Sequence, residues 1–114
     1  MEIIATSGNL NKREQYNIMK GANNVKCSDL VGVKLHVSGY LIFSRDGRDG
    51  QEICGILYET SDGASGVAVT NSRSLTEDVA TIASLVDDPT NWYLEIVAGK
   101  SRAGRTFLRG NWVE

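Results

Sequence analysis

One amphipathic helix, placed between two groups of predicted strands, constrains the fold more than any other feature of this sequence. Its apolar residues repeat at offsets of four, three and four: Leu75, Val79, Ile82 and Val86. Ser74 and Glu77 have the spacing of a capping box, so we predict that the helix begins at Ser74. Asp88 precedes Pro89, and because a residue before proline avoids helical dihedrals, we expect the helix to end there.

Three strands are predicted before this helix and two after it. Residues that are β-branched or aromatic alternate with polar ones, or form short apolar runs, over residues 34–43, 51–59, 67–70, 92–98 and 105–113. Segments rich in Gly, Asp and Ser separate the strands, as hairpin connections require. The order of elements is therefore three strands, one helix and a final hairpin.

This order predicts a mainly β fold, a five-stranded Greek-key barrel of the OB type with its helix between strands three and four. A chain of 114 residues has room for one domain. We predict a barrel over residues 33–114, with residues 1–32 as a helical extension. OB barrels bind oligonucleotides on the face of strands two and three, between two loops. Here these loops are residues 44–50 and 99–104.

The extension contains a second predicted helix over residues 11–20, with Asn11 and Glu14 as its capping pair. Leu10, Ile18 and Met19 are expected to face inward, and residues 21–24 to end the helix. Because these apolar residues stand outside the predicted barrel, the segment is a candidate for homo-oligomer formation.

Composition favours a binding protein over an enzyme. The single histidine, His36, has no partner pattern of a catalytic site, and no phosphate-binding glycine loop or metal-ligand spacing is present. We therefore expect no catalytic residue, cofactor or metal. Cys27 and Cys54 are predicted to be free thiols in a reducing compartment. With no targeting segment or apolar span, the predicted location is a cytoplasm, without membrane association.

The net charge is −2, but the acidic and basic residues are unevenly distributed along the chain. Lys100, Arg102, Arg105 and Arg109 fall in a stretch that contains no acid, and this end of the chain could face a phosphate backbone. Arg45 and Arg48 occupy the other predicted rim loop. Two further candidates for nucleic-acid contact lie on the first strand of the barrel: Lys34 and His36.

Aromatic side chains supply stacking surfaces for bases, and strand parity predicts which of them are exposed. Tyr40, Tyr93 and Phe107 share faces with polar or cationic residues, so they are predicted to point outward. Trp92 and Trp112 share faces with apolar residues and are predicted to lie in the core. Tyr58 is ambiguous, since both faces of its strand are apolar.

Several short segments, in this order, resemble a family of single-stranded DNA-binding proteins from tailed bacteriophages of Gram-positive hosts. They are Met1 to Ile4, Glu59-Thr60-Ser61-Asp62-Gly63, Thr70-Asn71-Ser72, and the run from Val97 through Gly99, Ser101, Gly104 and Arg105 to Phe107. The resemblance implies an OB fold and sequence-tolerant binding of single-stranded DNA through Lys100, Arg102, Arg105 and Phe107. It also implies a role in phage replication or recombination, a host cytoplasm, and replication proteins as partners.

Three other functions remain open from sequence, of which the most distant is a small phage structural or tail protein. An OB-type adaptor that binds protein would fit the acidic charge balance. An RNA-binding module would use the same aromatic and cationic groove, because only contacts to the 2′-hydroxyl separate RNA from DNA.

Overall fold

The computed structural model describes residues 2–21, 23–44 and 51–114. A short 3-10 helix, Cys27–Leu30, joins the second strand to the third. The strands and α-helices of this part of the chain are β1 (Glu2–Thr6), α1 (Lys12–Lys20), β2 (Val25–Lys26), β3 (Lys34–Ser44), β4 (Glu52–Glu59), β5 (Ser65–Thr70), α2 (Arg73–Leu85), β6 (Trp92–Lys100) and β7 (Thr106–Val113). The predicted mainly β class is confirmed. β1 and β2 are additions to the segment that was predicted only as a helical extension.

The strands form one curled sheet in the order β2-β5-β4-β3-β6-β7, and β1 also pairs with β3. All pairs are antiparallel except β2 with β5. Within the described residues the two edge strands, β2 and β7, do not pair, so the sheet is a half-barrel that is open between them. The observed sheet thus has seven strands rather than the five predicted.

The curled sheet is covered on both sides. α2 packs inside it through Leu75, Val79 and Ile82, against a cluster that includes Leu94 and Ile96. α1 packs outside it, where Leu10 and Ile18 lie against a smaller cluster formed by Leu41, Phe43 and Ile53. This explains why β4 is apolar on both faces: Cys54, Ile56 and Tyr58 belong to the inner cluster, and Ile53 and Leu57 to the outer one.

A β-bulge in β3 corrects the prediction for Tyr40. Val37 lies opposite Tyr58 and Gly39 opposite Leu57, so Ser38 is an extra residue in the ladder. Every residue of β3 after the bulge lies on the face opposite to the one that uninterrupted alternation predicts. Tyr40 is therefore buried, with 9% of its surface exposed, in the same inner cluster as Val37. The prediction that Tyr40 points outward was wrong because alternation was counted through the bulge.

The predicted first helix is confirmed. The Asn11 side chain accepts a hydrogen bond from the Glu14 backbone N–H at 2.8 Å, and the Glu14 carboxylate accepts one from the Asn11 backbone N–H at 3.0 Å. Gly21 ends the helix with a φ of 82°, a conformation that glycine adopts without strain. Leu10 and Ile18 are buried and Met19 is half-buried, as expected. Since these side chains pack on the chain's own sheet, they no longer argue for self-association, which stays a prediction.

The second helix begins and ends earlier than predicted. Ser72 is its N-cap, with its hydroxyl accepting from the Leu75 N–H, whereas the Ser74 hydroxyl donates to the Leu108 carbonyl at 2.9 Å. Glu77 pairs with Arg73 rather than closing a capping box. The Ser74 hydroxyl is thus bonded to β7 rather than to the backbone of the first helical turn. The C-cap is Val86, three residues before the proline.

Trp92 is buried as predicted, but Trp112 is 53% exposed. Parity places Trp112 with Leu108 and Gly110, and α2 covers those two through Ser74 and Asp78. Trp112 lies beyond these contacts on the edge strand, so the prediction that it belongs to the core was wrong. No helix in the described part of the chain has the length and apolar character needed to cross a membrane.

Candidate nucleic-acid interface

The β6–β7 hairpin presents the predicted cations to solvent. The Ser101 N–H donates to the Arg105 carbonyl at 2.8 Å, and the Gly104 N–H donates to the Ser101 carbonyl at 2.9 Å. Gly104 has a φ of 79°, which lets the chain reverse within this tight turn. The turn thus displays three exposed side chains: Lys100, Arg102 and Arg105.

Phe107 is held at the base of this hairpin by a glycine. Gly99 is its cross-strand partner, and a Cβ added at Gly99 would lie 2.6 Å from the Phe107 Cζ. The ring therefore lies against the backbone of Gly99, where no other residue would leave room for it. With 37% of its surface exposed, Phe107 keeps a surface available to a ligand, as predicted.

A groove of about 1080 Å³ lies along the open side of the half-barrel. Thr106 and Phe107 line it from the stem of the hairpin. Phe43, Gln51 and Ile53 line it from the strand ends that flank residues 45–50. The strand ends next to both predicted rim loops therefore border one groove.

α1 changes which part of the sheet a ligand can reach. A Cβ added at Gly55 would lie 2.6 Å from the Ile18 Cγ2, so the helix rests directly on the backbone of β4. Val67 and Val69 of β5 pack against the same cluster. The outer face of β4 and β5, which corresponds to the predicted binding face, is thus partly covered by α1. The groove beside it remains open, with Ile18 and Gly21 of the α1 end in its wall.

Two cations in the groove lining were not predicted from sequence. Lys26 reaches the groove because β2 pairs with β5, and Arg73 because α2 begins beside the end of β5. Arg73 is paired with Glu77 at 3.2 Å, and this exposed pair contributes little to stability. Both placements depend on long-range pairing, which has no local signal in the sequence.

Three of the predicted residues form a second cluster on the outer face of β3 and β6. His36 and Tyr93 are directly opposite, with ring centroids 5.0 Å apart. The Lys34 ammonium lies 4.7 Å from the Tyr93 ring centroid, within range of a cation–π interaction. His36 Nε2 is 2.7 Å from the Asn91 Oδ1, which fixes the imidazole. Tyr93 is 38% exposed, as predicted, and we call these three residues the Tyr93 cluster.

Tyr93 and Gly99 are six positions apart and so lie on the same face of β6, and Phe107, the cross-strand partner of Gly99, lies on that face of the hairpin. Six residues of strand correspond to about 20 Å. The two aromatic sites are therefore at opposite ends of the β6–β7 hairpin, and they do not meet in a single pocket.

The remaining predicted residues have other positions. Arg109 binds Asp78 through two hydrogen bonds, at 2.8 and 3.1 Å, so its charge is largely neutralised. The guanidinium holds the pKa of Asp78 below its usual range. Tyr40 is inside the core, and burial raises the pKa of its phenol. Arg45 and Arg48 lie outside the described residues.

Within residues 2–21, 23–44 and 51–114, no group of three or more His, Cys, Asp or Glu side chains could hold a metal ion. Both cysteines are free and buried, and burial raises the pKa of Cys27 to about 12.

Comparisons with protein-family models, with curated proteins and with solved structures found no match to this chain.

Proposed function

We propose that this protein is a non-enzymatic module that binds single-stranded DNA without strong sequence preference, in the groove beside the β6–β7 hairpin. The observation that carries the proposal is the convergence of both rim-loop stems on this groove, with Phe107 in its lining and three exposed cations on the adjoining turn. Stacking surfaces beside mobile cations are what a single-strand groove requires.

The strand pairings support an OB-type arrangement. β3 pairs with β4 and β6, β4 with β5, and β6 with β7, with α2 between the third and fourth of these five strands. OB barrels are Greek-key and only partly closed. We propose that β3 to β7 correspond to the five barrel strands, and that β2 lies beside β5 in the gap where the barrel stays open.

The Tyr93 cluster is proposed as a second contact on the same strand. Its lysine covers the tyrosine ring at 4.7 Å, so a base could stack there only if the ammonium moves onto a neighbouring phosphate. After this exchange the ammonium contacts a phosphate, and phosphate contacts carry no sequence information, as sequence-tolerant binding requires. We also propose, from the resemblance to phage single-stranded DNA-binding proteins, a role in phage DNA replication or recombination with replication proteins as partners.

The test removes charge from the hairpin turn. Arg102→Ala/Arg105→Ala should weaken binding of oligo-dT and lower the slope of log affinity against log salt by about 1.4, because each single-strand phosphate contact contributes about 0.7. The matched control is Arg102→Lys/Arg105→Lys, which keeps both point charges and should keep the slope.

Melting temperatures of all three proteins check the fold, which exposed turn residues should leave nearly unchanged. An unchanged slope in the alanine variant with a normal melt would show that the hairpin is a solvated turn. Duplex DNA should bind much more weakly than the single strand, since Phe107 needs an unstacked base. A matched ribo-oligomer tests RNA preference, and no response to any oligomer at moderate salt would favour the protein adaptor.

A further inference from the structure

Helix α1 presents a cationic and aromatic stripe that its role in packing does not explain. Tyr16 is 60% exposed, whereas Ile18, two residues on, is 3% exposed and faces the sheet. Lys12 and Lys20 lie four residues before and after Tyr16, and Arg13 lies three before it. Residues at these spacings occupy one side of a helix. We call the four residues Lys12, Arg13, Tyr16 and Lys20 the α1 stripe.

Among the described residues, no ion pair involves the cations of the α1 stripe. The one acid of the helix, Glu14, accepts a hydrogen bond from the Asn11 N–H at 3.0 Å and is engaged at the N-cap. The Lys20 ammonium is 6.0 Å from the centroid of the Tyr16 ring, at the limit for a cation–π interaction. In the described part of the chain, the ion pairs join Arg73 to Glu77 and Arg109 to Asp78, so they use other cations.

The helix that carries the stripe is fixed at both ends, and its last turn lies at the groove. The capping box and Gly21 define both of its ends, and Ile18 rests on Gly55. Ile18 and Gly21 line the groove, so the last turn of α1 is part of the groove wall. From Lys12 to Lys20 the stripe extends about 12 Å away from that wall.

We infer that the α1 stripe is a second binding segment for the same single-stranded nucleic acid, which leaves the groove at Gly21 and continues along the helix. Tyr16 would stack on a base, and the cations on either side would contact the flanking phosphates. A polyanion is the occupant that fits, because three cations surround one exposed aromatic ring in a chain whose net charge is −2. This inference rests on the proposed function, since it extends the path of the strand bound in the groove.

The experiment compares two lengths of oligo-dT, about 6 nucleotides, which fills the groove alone, and about 24, which is long enough to continue onto the helix. Tyr16→Ala should weaken binding of the long oligomer at least ~5-fold and leave the short one unchanged, since one stacking contact is lost. Tyr16→Phe is the matched control and should bind both lengths like the wild type. Lys20→Gln should lower the salt slope by about 0.7 for the long oligomer only.

The two proposals fail differently. If Arg102→Ala/Arg105→Ala weakens both lengths while Tyr16→Ala and Lys20→Gln weaken neither, the groove binds DNA and the α1 stripe does not. If Tyr16→Ala weakens both lengths equally, the stripe is not a separate segment and the inference is overturned. If the wild type binds neither oligomer, the proposed function itself fails, and this inference with it.

Discussion

At the scale of single residues, the contact between Ile18 and Gly55 determines whether α1 can lie on the sheet. A methyl group at Gly55 would be 2.6 Å from the Ile18 Cγ2, closer than side chains approach. Gly55→Ala should therefore lower the free energy of unfolding by about 1–3 kcal/mol through overpacking. Chemical denaturation measures this loss.

A double-mutant cycle tests whether Ile18 and Gly55 are in direct contact. In an Ile18→Ala background the obstructing methyl is gone, so adding Gly55→Ala should cost much less than it does in the wild type. Gly66→Ala is the control in the neighbouring strand. A Cβ added at Gly66 would lie 3.3 Å or more from the nearest atoms, which belong to the phenol end of the Tyr58 side chain. Additive losses in the double variant would mean that α1 does not rest on Gly55.

The two cysteines illustrate a residue-scale property that sequence did predict. Both thiols are free, and burial is the main cause of their raised pKa values. Thiolate is the reactive form, so we expect neither Cys27 nor Cys54 to be alkylated by iodoacetamide in the folded protein at pH 8. The same reagent in denaturant should label both. Rapid labelling of the native protein, followed by mass spectrometry, would contradict the observed burial.

Strand parity predicted the exposure of three aromatic residues correctly and of two wrongly. Parity placed Trp92, Tyr93 and Phe107 correctly, because β6 and β7 pair without a bulge. It failed at Tyr40, where an inserted residue reverses the alternation, and at Trp112, where burial depends on how far α2 covers the edge strand. Neither the bulge nor the reach of a distant helix has a sequence signal of its own.

At the scale of elements, α2 protects the exposed edge of β7. The Ser74 hydroxyl donates to the Leu108 carbonyl, and the Asp78 carboxylate accepts from the Gly110 N–H at 2.9 Å. Backbone groups that would otherwise invite pairing with another strand are thus bonded to the helix. The position of this helix between strands was predictable from its apolar stripe, but its contacts with the edge were not.

Asp78→Asn tests this connection between α2 and β7. Hydrogen bonds hold the pKa of Asp78 below its usual value, so the carboxylate stabilises the fold above the unfolded pKa, and that stabilisation is lost as pH falls through the lowered native pKa. We expect the variant to be about 1–2 kcal/mol less stable than the wild type at pH 7. The difference should be smaller at about pH 2.5, because this pH is below the unfolded pKa of about 3.9 and the stabilisation is then being lost.

Denaturation of both proteins at the two pH values measures this effect. Comparing differences between the variant and the wild type removes the contributions of Asp62 and Asp88, whose pKa values are also lowered by local hydrogen bonds. A stability gap that is the same at both pH values would show that the charge of Asp78 is not what stabilises the contact.

At the scale of the whole molecule, the sequence predicted both α-helices and the order of β3 to β7, but not β1, β2 or how the first segment packs on the sheet. Residues 11–20 read as a helix from their caps and apolar positions, and that reading was correct. Their place on the outer face of β4 and β5 depends on Gly55 and on apolar residues far along the chain. The apolar character of both faces of β4 was the one local indication that something must cover the second face.

The first segment is therefore expected to be required for folding rather than to be a removable extension. Deleting residues 1–24 would remove β1 and α1 and uncover Leu41, Phe43 and Ile53, which are now 8% exposed or less. Each such side chain contributes roughly 1.5–3 kcal/mol when fully buried, and the sum is comparable to the whole stability of a small domain. The truncated protein should lose its cooperative thermal transition and bind a hydrophobic dye. Leu10→Ala/Ile18→Ala keeps the helix but removes its packing, so it should melt cooperatively at a lower temperature. A truncated chain that melts at the wild-type midpoint without binding dye would show that the half-barrel is stable with its outer face uncovered.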